Sequence, residues 1–138
     1  MYLTYAEYQT MGGTLDEATF NNLEFQAECE INWVTFDRLE NETEIPEKVK
    51  RCMYSLIALL NEVQQAYIVN PVGADGNIQA AIASQSNDGV STSFNTLSAS
   101  DAAKLIHDKI VETIQKQLSN VTNSLGRKLL YRGLYPGE

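Results

Sequence analysis

Apolar residues recur with a helical period over three long stretches of this chain and one short one. Val49, Cys52, Met53, Leu56, Leu60, Val63 and Tyr67 fall on one face when laid out at about 100° per residue. They predict a helix from Pro46 to about Val69. The proline sits in a first turn, where its missing N–H costs nothing, and Asn70-Pro71 stops the run. Ala103, Ile106, Ile110, Ile114, Leu118 and Val121 form a similar stripe and predict a helix over about 99–122, with His107 at its rim. Thr122-Asn123-Ser124 and Gly126 end that helix.

The stretch over about 15–40 carries two stripes. Phe20, Leu23, Ala27, Ile31 and Val34 make one; Ala18, Phe25, Cys29, Trp33 and Phe36 make another, roughly opposite. Glu17, Glu24 and Glu28 lie between them on one side, and Gln26, Glu30 and Asp37 on the other. A helix that is apolar on two faces must bury both. One face packs on the third and fourth helices. The other is covered by the first helix and the C-terminal tail, or by a neighbouring subunit. A short helix over about 4–11 comes first. Thr4-Tyr5-Ala6-Glu7 reads as its capping box, and Gly12-Gly13 ends it. Thr14-Leu15-Asp16-Glu17 reads as a second capping box. Ser98-Ala99-Ser100-Asp101 reads as a third, or Ser100 is itself the cap.

Between the last two helices, Ile82-Ala83-Ser84-Gln85-Ser86 leads through Asn87-Asp88-Gly89 into Val90-Ser91-Thr92-Ser93-Phe94. The turn residues and the alternation of Val90, Thr92 and Phe94 with serines predict a hairpin or extended arm. The tail mixes Leu129, Leu130, Tyr131, Leu134 and Tyr135 with Arg127, Lys128 and Arg132. That is unlike a frayed terminus, so it should dock on its own domain or on a neighbouring chain. The expected fold is one mainly α domain over 1–138, a small bundle of about four helices. Helices one to three occupy 1–69, the loop and arm 70–97, the fourth helix 98–124 and the docked tail 125–138.

Charge changes the picture more than composition does. Residues 1–47 hold eleven acids and a single base, Arg38, whereas residues 48–138 hold seven acids and nine bases. The acidic half argues against wrapping nucleic acid. It also allows subunits to meet head to tail, acidic face on basic face. No run is long and apolar enough for a membrane span, and Met1 to Glu7 is not a signal peptide, so a cytoplasmic protein is expected. Cys29 and Cys52 read as reduced, half-buried small hydrophobes; with one histidine, no zinc spacing arises. No nucleophile elbow, phosphate loop, calcium loop or paired acid/base site stands out, so no catalytic residue, cofactor or metal is expected.

Several segments in order resemble the head–tail connector, or head-completion adaptor, proteins of tailed phages. They are Tyr2-Leu3-Thr4-Tyr5-Ala6-Glu7-Tyr8 with Gly12-Gly13-Thr14-Leu15-Asp16-Glu17 and Phe20; Ile45-Pro46-Glu47-Lys48-Val49-Lys50; the serine-rich Ser84 to Phe94 segment around Asp88-Gly89-Val90-Ser91; and Leu129-Leu130-Tyr131-Arg132-Gly133. The basic Gly126-Arg127-Lys128 departs from the family's pattern. The resemblance implies a subunit that binds beneath the portal protein as a ring, usually of twelve copies, extends the DNA channel and receives the stopper. It implies host cytoplasm during assembly, and the head–tail interface of the virion afterwards. On that reading Phe25, Cys29, Trp33 and Phe36, with Val90, Thr92 and Phe94, form the subunit interface. Arg127, Lys128, Leu129, Leu130, Tyr131 and Arg132 dock on the portal or a neighbour. Glu24 and Glu28 face the lumen, where DNA passes without specific binding. The purified chain should be a monomer or weak oligomer until the portal templates the ring. The alternative is a small acidic regulatory or binding protein that mimics DNA; another neck component, the stopper, ranks below it because stoppers tend to be rich in strands.

Overall fold

A computed structural model of the chain describes residues 1–69 and 99–138. Those residues form four helices: α1 (Tyr5–Thr10), α2 (Glu17–Thr35), α3 (Glu47–Val69) and α4 (Ala99–Leu118). The fold is mainly α, a small helical bundle. The only β pairing among the described residues is an isolated antiparallel bridge between Thr122 and Lys128. The expected hairpin arm, with Val90, Thr92 and Phe94, lies outside the described residues. The chain divides into two compact units, one of Met1–Ile57 with Ile110–Glu138 and one of Ala58–Lys109.

The first unit begins with the expected capping box. Glu7 N donates to Thr4 Oγ1 at 3.3 Å, and Thr4 N donates to Glu7 Oε2 at 2.9 Å. After α1 the chain reverses through Gly12, whose φ of +96° suits glycine. Gly13 then passes against the Tyr8 ring so closely that a Cβ would overlap it. The second expected box, Thr14 to Glu17, does not form. Asp16 is the cap instead, because its two carboxylate oxygens take both the backbone N–H and the hydroxyl of Thr19, at 3.0 and 2.7 Å.

α2 stops at Thr35, five residues short of the expected end. Phe36 and Asp37 both turn left-handed, with φ of 56° and 55°, and both N–H groups donate to Asn32 O. A left-handed Phe costs on the order of 1 kcal/mol. The turn delivers Arg38 and Leu39 into the interior, where both are buried. α3 starts as expected, with Pro46 O accepting from Val49 N and Lys50 N. α4 ends at Leu118, short of the expected 122, and Val121 N donates back to Leu118 O as the chain leaves the helix.

The core of this unit collects the inner stripe of α2 (Phe20, Leu23, Ala27, Ile31), the start of α3 (Val49, Cys52, Met53, Leu56, Ile57), the end of α4 (Ile110, Ile114, Leu118), and Leu3, Leu39 and Leu129. Tyr8 is its aromatic hub, with ring centroids 4.8 Å from Phe20 and 5.5 Å from Tyr54, so it ties α1 to both α2 and α3. Lys50 pairs with Glu7, and Gln117 Nε2 donates to Ser55 Oγ at 3.0 Å, which fastens α4 to α3.

In the second unit the C-terminal part of α3 buries Ala66, and Leu60 and Val63 are half-buried. At the start of α4, Ala102 is buried and Ala103 exposed, so the stripe read from the sequence is off by one position there. Ile106 is half-buried.

Gly13→Ala should therefore cost about 2 kcal/mol, because the methyl group must displace the Tyr8 ring from its Phe20 and Tyr54 neighbours. Gly12→Ala meets open space and should cost about 1 kcal/mol from its backbone alone. Urea denaturation of the two variants checks both the order and the gap.

Candidate interaction surface

Arg38 is the one base among the first 47 residues, and the left-handed turn after α2 places it beneath the tail. Its side chain is only 3% exposed. Nη1 donates to Lys128 O at 3.2 Å, to Leu129 O at 3.1 Å and to Tyr131 O. Nη2 donates to Gly133 O at 2.7 Å and to Glu138 Oε2 at 3.1 Å, and Nε donates to Glu138 Oε1 at 3.0 Å. The Phe36 and Tyr135 rings lie 5.3 and 5.0 Å from the guanidinium carbon, within cation–π range. Arg38 first, then the Tyr135 N–H, holds the Glu138 carboxyl down at about 2.

The tail is further fixed by its own turn. Asn123 Oδ1 accepts from Leu125 N at 3.1 Å and from Arg127 N at 2.9 Å. Leu129 N donates to Val121 O at 3.0 Å, and Lys128 N donates to Tyr135 Oη at 2.9 Å. The tail thus docks on its own chain, which corrects part of the expected docking set. Leu129 is fully buried, because it fills the core under the clasp. Leu130 is half-buried, and Arg127 is engaged by Pro136 O at 2.8 Å and Glu138 at 3.6 Å. Lys128, Tyr131 and Arg132 remain exposed. Two leucines outside the expected docking set, Leu125 and Leu134, are exposed as well, the latter by 83%. Their only signal was a leucine on each side of the docked stretch.

The outer stripe of α2 is open. Phe25 is 66% exposed and Phe36 53%, and Ala18, Cys29 and Trp33 are also exposed. A cleft of about 560 Å³ runs beside Trp33, Val34 and Phe36, with Val111, Leu130 and Arg132 on its other side. A second cleft puts Phe36 beside Leu125, Arg132 and Leu134. The C-terminal end of the α2 face is therefore continuous with the tail.

The expected lumen acids are placed otherwise. Glu24 is buried, and its Oε1 accepts from Tyr2 N at 2.8 Å and Leu3 N at 3.3 Å. Burial raises its carboxyl above the usual range. Glu28 is half-buried, with Oε2 2.6 Å from the Met1 amino nitrogen. Both acids are taken by the first residues of the chain; the buried N–H groups of Tyr2 and Leu3 need an acceptor once they lie along α2, and Glu24 supplies it. Tyr2 Oη donates to Asn32 Oδ1 in the same seam, and burial pushes the Tyr2 phenol up to about 12.

The cysteines also diverge from the expected pair of half-buried thiols. Cys29 is exposed, whereas Cys52 is buried and its thiol is pushed up to about 12, which keeps it protonated and unreactive. Among the described residues no group of three or more His, Cys, Asp and Glu side chains could hold a metal ion, and no helix is long and apolar enough to cross a membrane. Comparison of the chain with family models, with curated proteins and with solved structures finds no match.

Two outcomes follow for the clasp. Arg38→Met should destabilise the protein by about 3 kcal/mol, since the tail carbonyls and Glu138 lose their donor. Limited trypsin digestion should then cut after Arg127, Lys128 and Arg132 far sooner than in the wild type. Acid should open the same contact. The Glu138 pKa is depressed on folding, so its contribution is complete above the ordinary value of about 4.5 and is lost as pH falls through about 2. The Arg38 Nε–H resonance, followed by NMR from pH 6 downward, should hold its position until the titration begins below about pH 4.

Proposed function

We propose that this chain is a structural adaptor subunit of a tailed-phage neck, which joins the portal as one member of a ring, extends the DNA channel and receives the stopper. One observation carries the reading: α2 buries one stripe in its own unit and turns the other outward, with Phe25 and Phe36 more than half exposed. An aromatic face of that kind on a folded body is a contact surface. The ordered resemblance from Tyr2 to Gly133 supports the identity of the assembly. The charge supports it too. The base-poor first 47 residues withdraw their one base, Arg38, into the interior, and an exterior left to acids repels the DNA that a neck must let pass. The role needs no catalytic residue and no cofactor. It belongs to the host cytoplasm during assembly and to the head–tail interface of the virion.

Mixing the purified chain with portal rings of the same phage and imaging the product tests this. A second ring should appear stacked on the portal. Phe25→Asp with Cys29→Asp should abolish it while circular dichroism stays native, because both side chains are at the surface and clear of the clasp. Portals left bare by the wild-type chain, together with competition against DNA for a DNA-binding protein, would instead identify a small acidic DNA mimic.

A further inference from the structure

Among the described residues, every mostly exposed large apolar side chain except Met1 belongs to one of two surfaces of the first unit. One is the outer face of α2, and the other is the clasped tail. Their charges are opposite. The α2 face has exposed Phe25 and Cys29 near its middle, with exposed Glu17 and half-buried Glu30 along its edges. The single nearby base in sequence, Arg38, is committed beneath the tail. The tail presents Leu134 and Tyr131 beside exposed Lys128 and Arg132, and its one acid, Glu138, is consumed by Arg38 and Arg127. Of the other exposed bases of this unit, Arg51 and Lys116 are paired with Glu47 and Glu112 on their own helices, and Lys48 stands in the first turn of α3.

We propose that the tail of one copy docks on the outer face of α2 of a second copy, with Leu134 and Tyr131 against Phe25, and Lys128 and Arg132 against Glu17 and Glu30. This deepens the ring reading and rests on it, by naming the contact between neighbouring copies. The occupant is a second copy because the tail cannot reach Phe25 of its own chain. It is clasped at the Phe36 end of α2, and Phe25 lies eleven residues away, about 16 Å along the helix. Each copy carries both halves of the contact, so it can be passed on head to tail from copy to copy, and such repetition closes a ring or extends a filament. The exposed charges beside both apolar patches make this contact salt-sensitive.

Two charge-reversed variants test it by sedimentation velocity at low salt, with circular dichroism confirming the fold of each. Lys128→Glu with Arg132→Glu makes both surfaces acidic, and Glu17→Lys with Glu30→Lys makes both basic. The wild type should associate weakly at concentrations up to about 1 mM and lose that association as salt is added. Each variant alone should sediment as a monomer. Their equimolar mixture should associate again, because every acidic surface then finds a basic one. A wild type that stays monomeric throughout, variants that associate as the wild type does, or a mixture that stays monomeric overturns the proposal. No portal is present in the assay. A chain that stacks on portals but fails here keeps the neck role and loses this contact, and a chain that passes here but ignores portals keeps the contact and loses the neck role.

Discussion

A buried guanidinium must find acceptors for five N–H groups, and for Arg38 the last eleven residues supply them all. An unpaired charge at that depth would cost several kcal/mol, so the tail and the arginine can be placed only together. Much of the first unit follows from that constraint. α2 ends in a left-handed turn just ahead of Arg38, and from that turn the guanidinium reaches the tail carbonyls. The left-handed Phe36 and Asp37 are the local cost, and the clasp offsets it. Leu129 is drawn into the core by carbonyls held on either side of it. Tyr131 and Leu134 stay exposed on a segment that is nevertheless fixed.

The start of the chain is held by the converse device. Glu24 accepts from two backbone N–H groups, where Arg38 donates to four backbone carbonyls. Each anchor is a buried charge that grips main chain. Gripping main chain holds a segment in place without using its side chains, which can then turn either way. At the N-terminal end those side chains, Tyr2 and Leu3, pack inward. At the C-terminal end Leu129 packs inward as well, but Lys128, Tyr131 and Leu134 face solvent. The asymmetry makes the tail the natural contact surface of the pair, although both ends are equally well tied down.

Local chemistry was enough to read the parts of the fold that local chemistry decides. The Thr4–Glu7 box, the Gly12 reversal and the α3 stripe needed only neighbours within a few positions. The two stripes of α2 were also legible, and the outer one is indeed exposed. What could not be read depended on distant partners. The early end of α2 has no glycine to mark it, and Leu39 prolongs the apolar pattern past the break; the residue just after that break is bonded to partners some 90 positions away. Glu24 looks like its neighbours Glu17 and Glu28 on a helical wheel, and only the N-terminal segment laid across it makes it an interior acceptor. The tail's composition announced docking, but the choice between its own body and a neighbour turned on Arg38. The isolation of that residue among acids was visible in the sequence, and its purpose was not.

On the proposed reading, the weakness of the copy-to-copy contact is a requirement of assembly. A chain that closed rings freely in the cytoplasm would consume itself away from the portal. Small, charge-rimmed patches hold the free protein near the monomer. Once a portal ring seats several copies side by side, their effective concentration exceeds that of the free protein by orders of magnitude, and each contact becomes intramolecular in character. The same patches then suffice, because every subunit in a closed ring gains two of them without further loss of freedom. A stronger, greasier interface would give up that dependence on the template, and the clasp prevents it by sinking Leu129 into the core and leaving Lys128 and Arg132 at the rim.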